Sequence, residues 1–122
     1  MTNIILGSDH NGIELKKIIK EYLLEKKFNP IDIGPFNTNK VDYPDYASQV
    51  AKIIASGDAD FGILICGTGI GMSIVANKVA GIRAALVHNL QTAPLTKEHN
   101  NANILCLGAW VVNSEVSLQI VD

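Results

Sequence analysis

The sequence predicts a three-layer α/β/α sandwich around a five-stranded parallel sheet, and three observations carry that prediction. Short apolar runs alternate along the chain with segments whose apolar residues recur at helical spacing. The run Phe61–Cys66, FGILIC, is almost wholly apolar, as a central parallel strand covered on both faces requires. A glycine turn, CGTGIGMS, begins at Cys66 and leads straight into another helix-like stretch. Parallel strands joined by helical crossovers produce this alternation.

Each element has its own signal. Asn3–Gly7 is a short apolar strand that stops at Ser8-Asp9-His10, and Leu15, Ile18, Ile19, Tyr22 and Leu23 then mark a first helix. Phe28 to Ile33 makes a second, weaker strand, with Pro30 pointing to an edge position or a late start. Gly34 to Tyr43 is a loop. Asp42 precedes a helix that opens with Pro44, buries Ala47, Val50, Ala51 and Ile54, and ends at Ser56-Gly57. After the third strand, a third helix runs from about Gly71 to Val79. Ala84–Val87 is the fourth strand, Thr92–Glu98 a fourth helix, Ile104–Leu107 the fifth strand, and a last helix begins near Ser114. The whole reads as one Rossmann-like domain over residues 1–122.

Composition narrows the function. A chain of 122 residues, 48% hydrophobic and 18% charged, suits one domain with a real core. A net charge of −2, a single arginine (Arg83) and lysines scattered from Lys16 to Lys97 give no footprint for nucleic acid. No apolar run approaches the roughly 18 residues of a membrane span, so the expected place is the cytoplasm. Cys66 and Cys106, placed at the ends of buried strands without CxxC spacing, are expected as reduced thiols.

In open parallel sheets, ligands bind beyond the carboxyl ends of the strands. Asp9 and His10, Cys66 and Thr68, and His88 and Asn89 all map there. His99-Asn100 maps to the amino end of the fifth strand, where a partner subunit would bring it to a site. The glycine loop is the sharpest feature. Its alternate glycines uncover backbone N–H groups, and a helix start at the same place adds positive potential that favours anions and a thiolate. It is not a nucleotide-triphosphate loop, because Met72 stands where the lysine belongs. It is not a dinucleotide fingerprint either: the pattern is GxGxG, it follows the third strand, and the fourth strand ends in His88-Asn89 without an acid.

GSDHNG at Gly7–Gly12, DYPDYA at Asp42–Ala47, GILICGTGIGMSIVANKVAGIRAAL at Gly62–Leu86 and KEHNNAN at Lys97–Asn103 together resemble ribose-5-phosphate isomerase type B, a family that includes the galactose-6-phosphate isomerase subunits. The resemblance covers nearly the whole chain in order. It implies an aldose–ketose isomerase that needs no metal and no cofactor, acts on a sugar phosphate, and forms a homodimer or tetramer with shared active sites. It also marks two departures. The family normally continues into a longer last helix and a tail whose arginines hold phosphate, so the domain is expected to be shortened at its carboxyl end. It usually has an arginine two residues after the glycine matching Gly108, where this chain has Trp110.

Moving a carbonyl between C1 and C2 needs a base for the C2 proton, an acid for the oxygen, and stabilisation of an enediolate. Cys66 is the candidate base, Thr68 is within reach to orient it, and the amides of Gly67, Gly69 and Gly71 are the candidate anion hole. Some members of the family carry a glutamate base one step after the last loop glycine; here Met72 stands there and cannot take a proton. The resemblance assigns sugar-ring opening to His99, the sugar hydroxyls and ring oxygen to Asp9, the enediolate or its hydroxyls to Asn100, and the phosphate side to His10. It places Asp42 and Tyr43 along the sugar pocket.

Simpler readings stand beside these. Asp9 is also a good N-cap for the first helix, and His99 a helix-terminal cation. His88 reads as a strand-end residue, Cys106 as a small buried hydrophobe, and Ser73 and Asn77 as packing on the third helix. A hexose-6-phosphate isomerase and a weakly active sugar-phosphate-binding subunit are the alternatives to a pentose-phosphate isomerase.

Overall fold

The computed structural model describes residues 2–35, 43–90, 93–98, 101–111 and 120, with 43–45 and 97–98 as backbone only. Its elements are β1 (Asn3–Ser8), α1 (Ile13–Glu25), β2 (Asn29–Asp32), α2 (Tyr43–Ala55), β3 (Phe61–Cys66), α3 (Ile70–Asn77), β4 (Ala84–Leu86), α4 (Leu95–Glu98) and β5 (Ile104–Gly108). All strand pairs are parallel and the order is β2-β1-β3-β5-β4. The α/β sandwich read from the sequence is therefore the fold.

Strand alternation divides the core into two layers. Ile5, Leu64, Cys66, Ile104 and Cys106 face Ala47, Val50, Ala51 and Ile54 of α2 and Met72 and Ala76 of α3. Ile4, Leu6, Ile63, Ile65 and Leu107 face Leu15, Ile19 and Leu23 of α1, together with Val87 and Ile120. Leu6 and Leu64 are fully buried, each contributing about 2 kcal/mol relative to exposure.

Several boundaries differ from the sequence reading. Strand β2 is shorter than Phe28–Ile33, and Pro30 sits inside it on the sheet edge, where a missing N–H costs no ladder bond toward solvent. Tyr43, expected in the loop, is the first residue of α2. Helix α3 starts at Ile70, because Gly69 takes a left-handed conformation (φ 82°) that ends the turn one residue early. It ends at Asn77, and the Lys78 and Val79 N–H groups bond three residues back rather than four. Cys106 lies in the middle of β5, opposite Leu64, rather than at a strand end. The Ser114 helix lies outside the described residues apart from Ile120, which is helical and buried.

Helix α1 also rotates further than its leucines imply. Ile18 is partly exposed, while Lys16 is buried at 1% exposure. Its Nζ lies 2.9 Å from Asp32 Oδ1 and donates to the Pro35 carbonyl at 2.6 Å. Burial pulls the ammonium below the ordinary lysine value, against the opposing pull of Asp32. Asp32 Oδ1 also accepts the Gly34 N–H at 2.8 Å, and Gly34 O accepts the Ser8 N–H. This brace ties α1, β2 and the end of β1 together beside Asp9.

Candidate active site

The order in which strands are added reverses between β1 and β3: β2 lies on one side of β1, and β3, β5 and β4 lie on the other. That makes the carboxyl ends of β1 and β3 the switch point, the place where such sheets open a crevice. Ser8 pairs with Ile65 in register, so Asp9 and Cys66 follow side by side. The Asp9 N–H bonds to Ile65 O at 3.1 Å, closing the ladder at that step.

Asp9 does not cap α1. The N-cap is Gly12 and makes no side-chain cap bond. Instead Asp9 Oδ1 accepts the Asn11 N–H at 2.8 Å, and Asp9 O accepts the Gly12 N–H at 3.1 Å, a tight Asx turn that fixes the carboxylate at the strand end. Gly12 is required there because a Cβ would lie 2.6 Å from Ile65 O. Asp9 is buried and His10 half-buried beside it.

Across the switch point, Cys66 is a buried free thiol whose sulfur accepts the Gly69 N–H at 3.0 Å. Gly69 takes a positive φ there, and a side chain would strike Leu86 Cδ1 at 2.6 Å and the Leu107 backbone at 3.0 Å. Thr68 Oγ1 accepts the Ile70 N–H at 3.2 Å, so the bond to the sulfur comes from Gly69 and the threonine orders the helix start. The Gly71 and Met72 N–H groups lie in the first turn of α3, where a helix offers no carbonyl partner. These N–H groups and the helix dipole give that end of the loop a positive potential.

A second layer of contacts fixes this loop from β5. The Ala109 N–H donates to Cys66 O at 2.8 Å and the Trp110 N–H to Gly67 O at 2.9 Å. The Trp110 ring lies directly on Gly67, where a Cβ would meet ring carbon Cε3 at 2.5 Å. Sequence reading marked Trp110 only as a departure from a pattern. Nothing local announced this contact, which joins two strand ends far apart in the chain.

The remaining sequence-level residues divide. His99, Asn100 and Asp42 lie outside the described residues, and Tyr43 is described by its backbone alone. His88 is half-buried, with Nε2 inaccessible and without a hydrogen-bond partner among the described residues. Ser73 Oγ bonds to Ile70 O, and the Asn77 amide bridges both backbone groups of Ala84, which gives these two the packing role. Cys106 is fully buried, and burial first, then the neighbouring Cys66, pushes its thiol up to about 12. Concavities of about 610 and 400 Å³ lie along the β4 edge and under the amino ends of β1, β3 and β5, and neither includes Asp9, Cys66 or Thr68. Among the described residues no helix is long and apolar enough to cross a membrane.

Comparison with known proteins places the fold in a family. The Ribose/Galactose Isomerase family model matches residues 4–122. The chain is 51% identical over 123 residues to a probable ribose-5-phosphate isomerase B of Mycoplasma genitalium, covering 98% of this chain and 80% of that protein. It is 48% identical over 122 residues to ribose-5-phosphate isomerase B of Escherichia coli, covering 100% of this chain and 82% of that protein. Among solved structures, a Clostridium thermocellum ribose-5-phosphate isomerase B superposes with TM-score 0.98 at 49% identity, over 99% of this chain and 82% of that one. The Mycoplasma genitalium enzyme with bound ribulose-5-phosphate superposes with TM-score 0.91 at 51% identity, over 99% of this chain and 81% of that one. A family match across nearly the whole chain, on a fold that brings Asp9 and Cys66 together at the switch point, shows that this chain belongs to the ribose/galactose isomerase family.

Proposed function

We propose that this chain interconverts ribose 5-phosphate and ribulose 5-phosphate through a cis-enediolate, with Cys66 as the base. The observation that carries the reading is the Gly69 N–H donated to Cys66 Sγ at 3.0 Å, beside the first turn of α3. That N–H fixes the sulfur at the start of the helix, where the free N–H groups of the first turn face a developing negative charge. The thiolate takes the C2 proton of the open-chain aldose, and the C2–H electron pair becomes the C1–C2 double bond. Negative charge moves to the carbonyl oxygen, where the Gly71 and Met72 N–H groups and the loop amides are worth most. Return of the proton to C1, with transfer of the C2 hydroxyl proton to the C1 oxygen, gives the ketose.

The substrate is mostly cyclic, so a ring-opening step precedes the enolisation. His99 suits it as an imidazole that can both give and take a proton, with Asp9 holding the ring oxygen and hydroxyls. Asn100 contacts the enediolate, Thr68 orders the loop, His10 faces the phosphate, and Asp42 and Tyr43 line the sugar chain. A homodimer supplies His99 and Asn100 to the partner's site in this account. Ile70 and Ile74, one turn apart on α3 and 50% and 53% exposed, give such a dimer an apolar face. The two free buried cysteines suit a reducing cytoplasm.

Steady-state turnover of ribose 5-phosphate, galactose 6-phosphate and allose 6-phosphate by the purified chain tests the assignment. Preference for the pentose phosphate supports it. Preference for a hexose phosphate, or binding without turnover, replaces it.

A further inference from the structure

We propose that Trp110 is a substrate-contacting, specificity-determining residue: its outer indole face is the apolar wall of the sugar site, against which the carbon chain of the bound sugar phosphate lies. The inference rests on the isomerase reading for its substrate and on three independent observations for its geometry.

The indole is 71% exposed, far more than a large aromatic ring needs to be when it packs for stability alone. It is nonetheless held in place. The Trp110 N–H is bonded to Gly67 O and the neighbouring Ala109 N–H to Cys66 O, so the residue is pinned to the peptide that carries the proposed base. Its ring lies flush on Gly67, between Cys66 and Thr68, and any side chain at 67 would collide with Cδ2, Cε3 and Cζ3 at 2.5–2.7 Å. A glycine at that position is what lets the ring reach the loop. The result is a fixed, uncharged π surface open to solvent, one residue from the thiol and beside the anion-binding N–H groups of α3.

The chemistry of that surface selects its ligand. The C–H bonds of a sugar chain are polarised by adjacent hydroxyls and present weakly positive faces, which suit the negative face of an indole. The enediolate oxygen belongs to the N–H groups of α3, and the phosphate lies toward His10. A sugar phosphate engages the indole along its carbon chain, and inorganic phosphate has no carbon chain to lay there. Contact with unreacting carbons stabilises ground and transition states alike, so its loss appears in KM more than in kcat.

Trp110 is the sole tryptophan, so its emission reads the site directly. Ribose 5-phosphate should change that emission saturably, with a midpoint matching equilibrium dialysis of the labelled sugar, and inorganic phosphate should not. Trp110→Ala should raise KM about tenfold with a smaller effect on kcat, and Trp110→Phe should recover most of the loss. The mass in solution by light scattering should stay that of the parent. Emission unchanged while dialysis shows bound sugar, an unaltered KM in Trp110→Ala, or a shift in oligomeric mass in that variant would each overturn the proposal, the last making the indole a subunit contact. If the parent binds the sugar without turning it over, the isomerase reading fails, and the dialysis constant of Trp110→Ala still decides the wall. If the parent binds no sugar phosphate at all, both fall.

Discussion

The Gly69 N–H points at Cys66 Sγ from 3.0 Å, and a positive φ at Gly69 turns the chain from that bond directly into α3. The thiol, the donor and the first turn of α3 thereby form one rigid unit built on the end of a buried strand. Gly69→Ala must strain the backbone and push against Leu86 and Leu107. We expect a loss of about 1–3 kcal/mol of stability and a fall in kcat larger than the change in KM. Urea denaturation together with initial-rate kinetics checks both.

Replacing the proposed base should remove the chemistry and spare the fold. Cys66→Ala is expected to lower kcat by about 10³-fold with an unchanged unfolding midpoint. Iodoacetamide should inactivate the parent, and ribose 5-phosphate should protect it.

Cys106 gives a pH signature of its own. Its thiol sits above the ordinary value of 9.0, at about 12, because burial and the nearby Cys66 disfavour its charge. The unfolded chain ionises this group near the ordinary value while the native chain keeps the proton. The contribution to stability is therefore complete below pH 9 and is lost as pH rises from there toward 12. Cys106→Ala should flatten the decline of unfolding free energy over that window, measured against the parent. An identical slope in the two proteins would contradict the assignment.

Much of the fold was legible in the sequence, and the physical reason is periodicity. The unbroken apolar run Phe61–Cys66 and the helical spacing of Ala47, Val50, Ala51 and Ile54 both report burial that local sequence dictates, and each fell where expected. The loop residues Cys66 and Gly69 were legible because their signal is also local: alternate glycines between a strand and a helix uncover N–H groups, and the thiol stands next to them in the chain. What escaped was long-range. Lys16 drew no notice among the scattered lysines, yet it is buried on Asp32. The alternative reading of Asp9 as a cap of the first helix fails on a local detail: Gly12 holds that place and Asp9 turns back on Asn11. The seat of Trp110 on Gly67 depends on the register of β3 with β5, which no local pattern encodes.

The Lys16 brace should be costly to break. Lys16→Met leaves Asp32 and the Pro35 carbonyl buried without their cation and is expected to cost about 3–5 kcal/mol in chemical denaturation. Pairing it with Asp32→Leu should recover part of that loss. Equal stability of the single and double variants would show that the two groups do not act as a pair.

If His99 acts only on the sugar ring, the two reaction directions should respond unequally to its removal. His99→Asn is expected to cripple turnover of the cyclic aldose while sparing much of the reaction that starts from the acyclic ketose. Single-turnover rates in both directions measure it, and equal losses would assign the residue another step.

The central claim is that Cys66 takes the C2 proton, and proton exchange with solvent reads that step without relying on product release. Ribose 5-phosphate carrying deuterium at C2 should lose its label to water during turnover by the parent chain, as followed by NMR. The folded Cys66→Ala variant should leave the label in place. Label loss by that variant at a rate near the parent's would show that another group is the base.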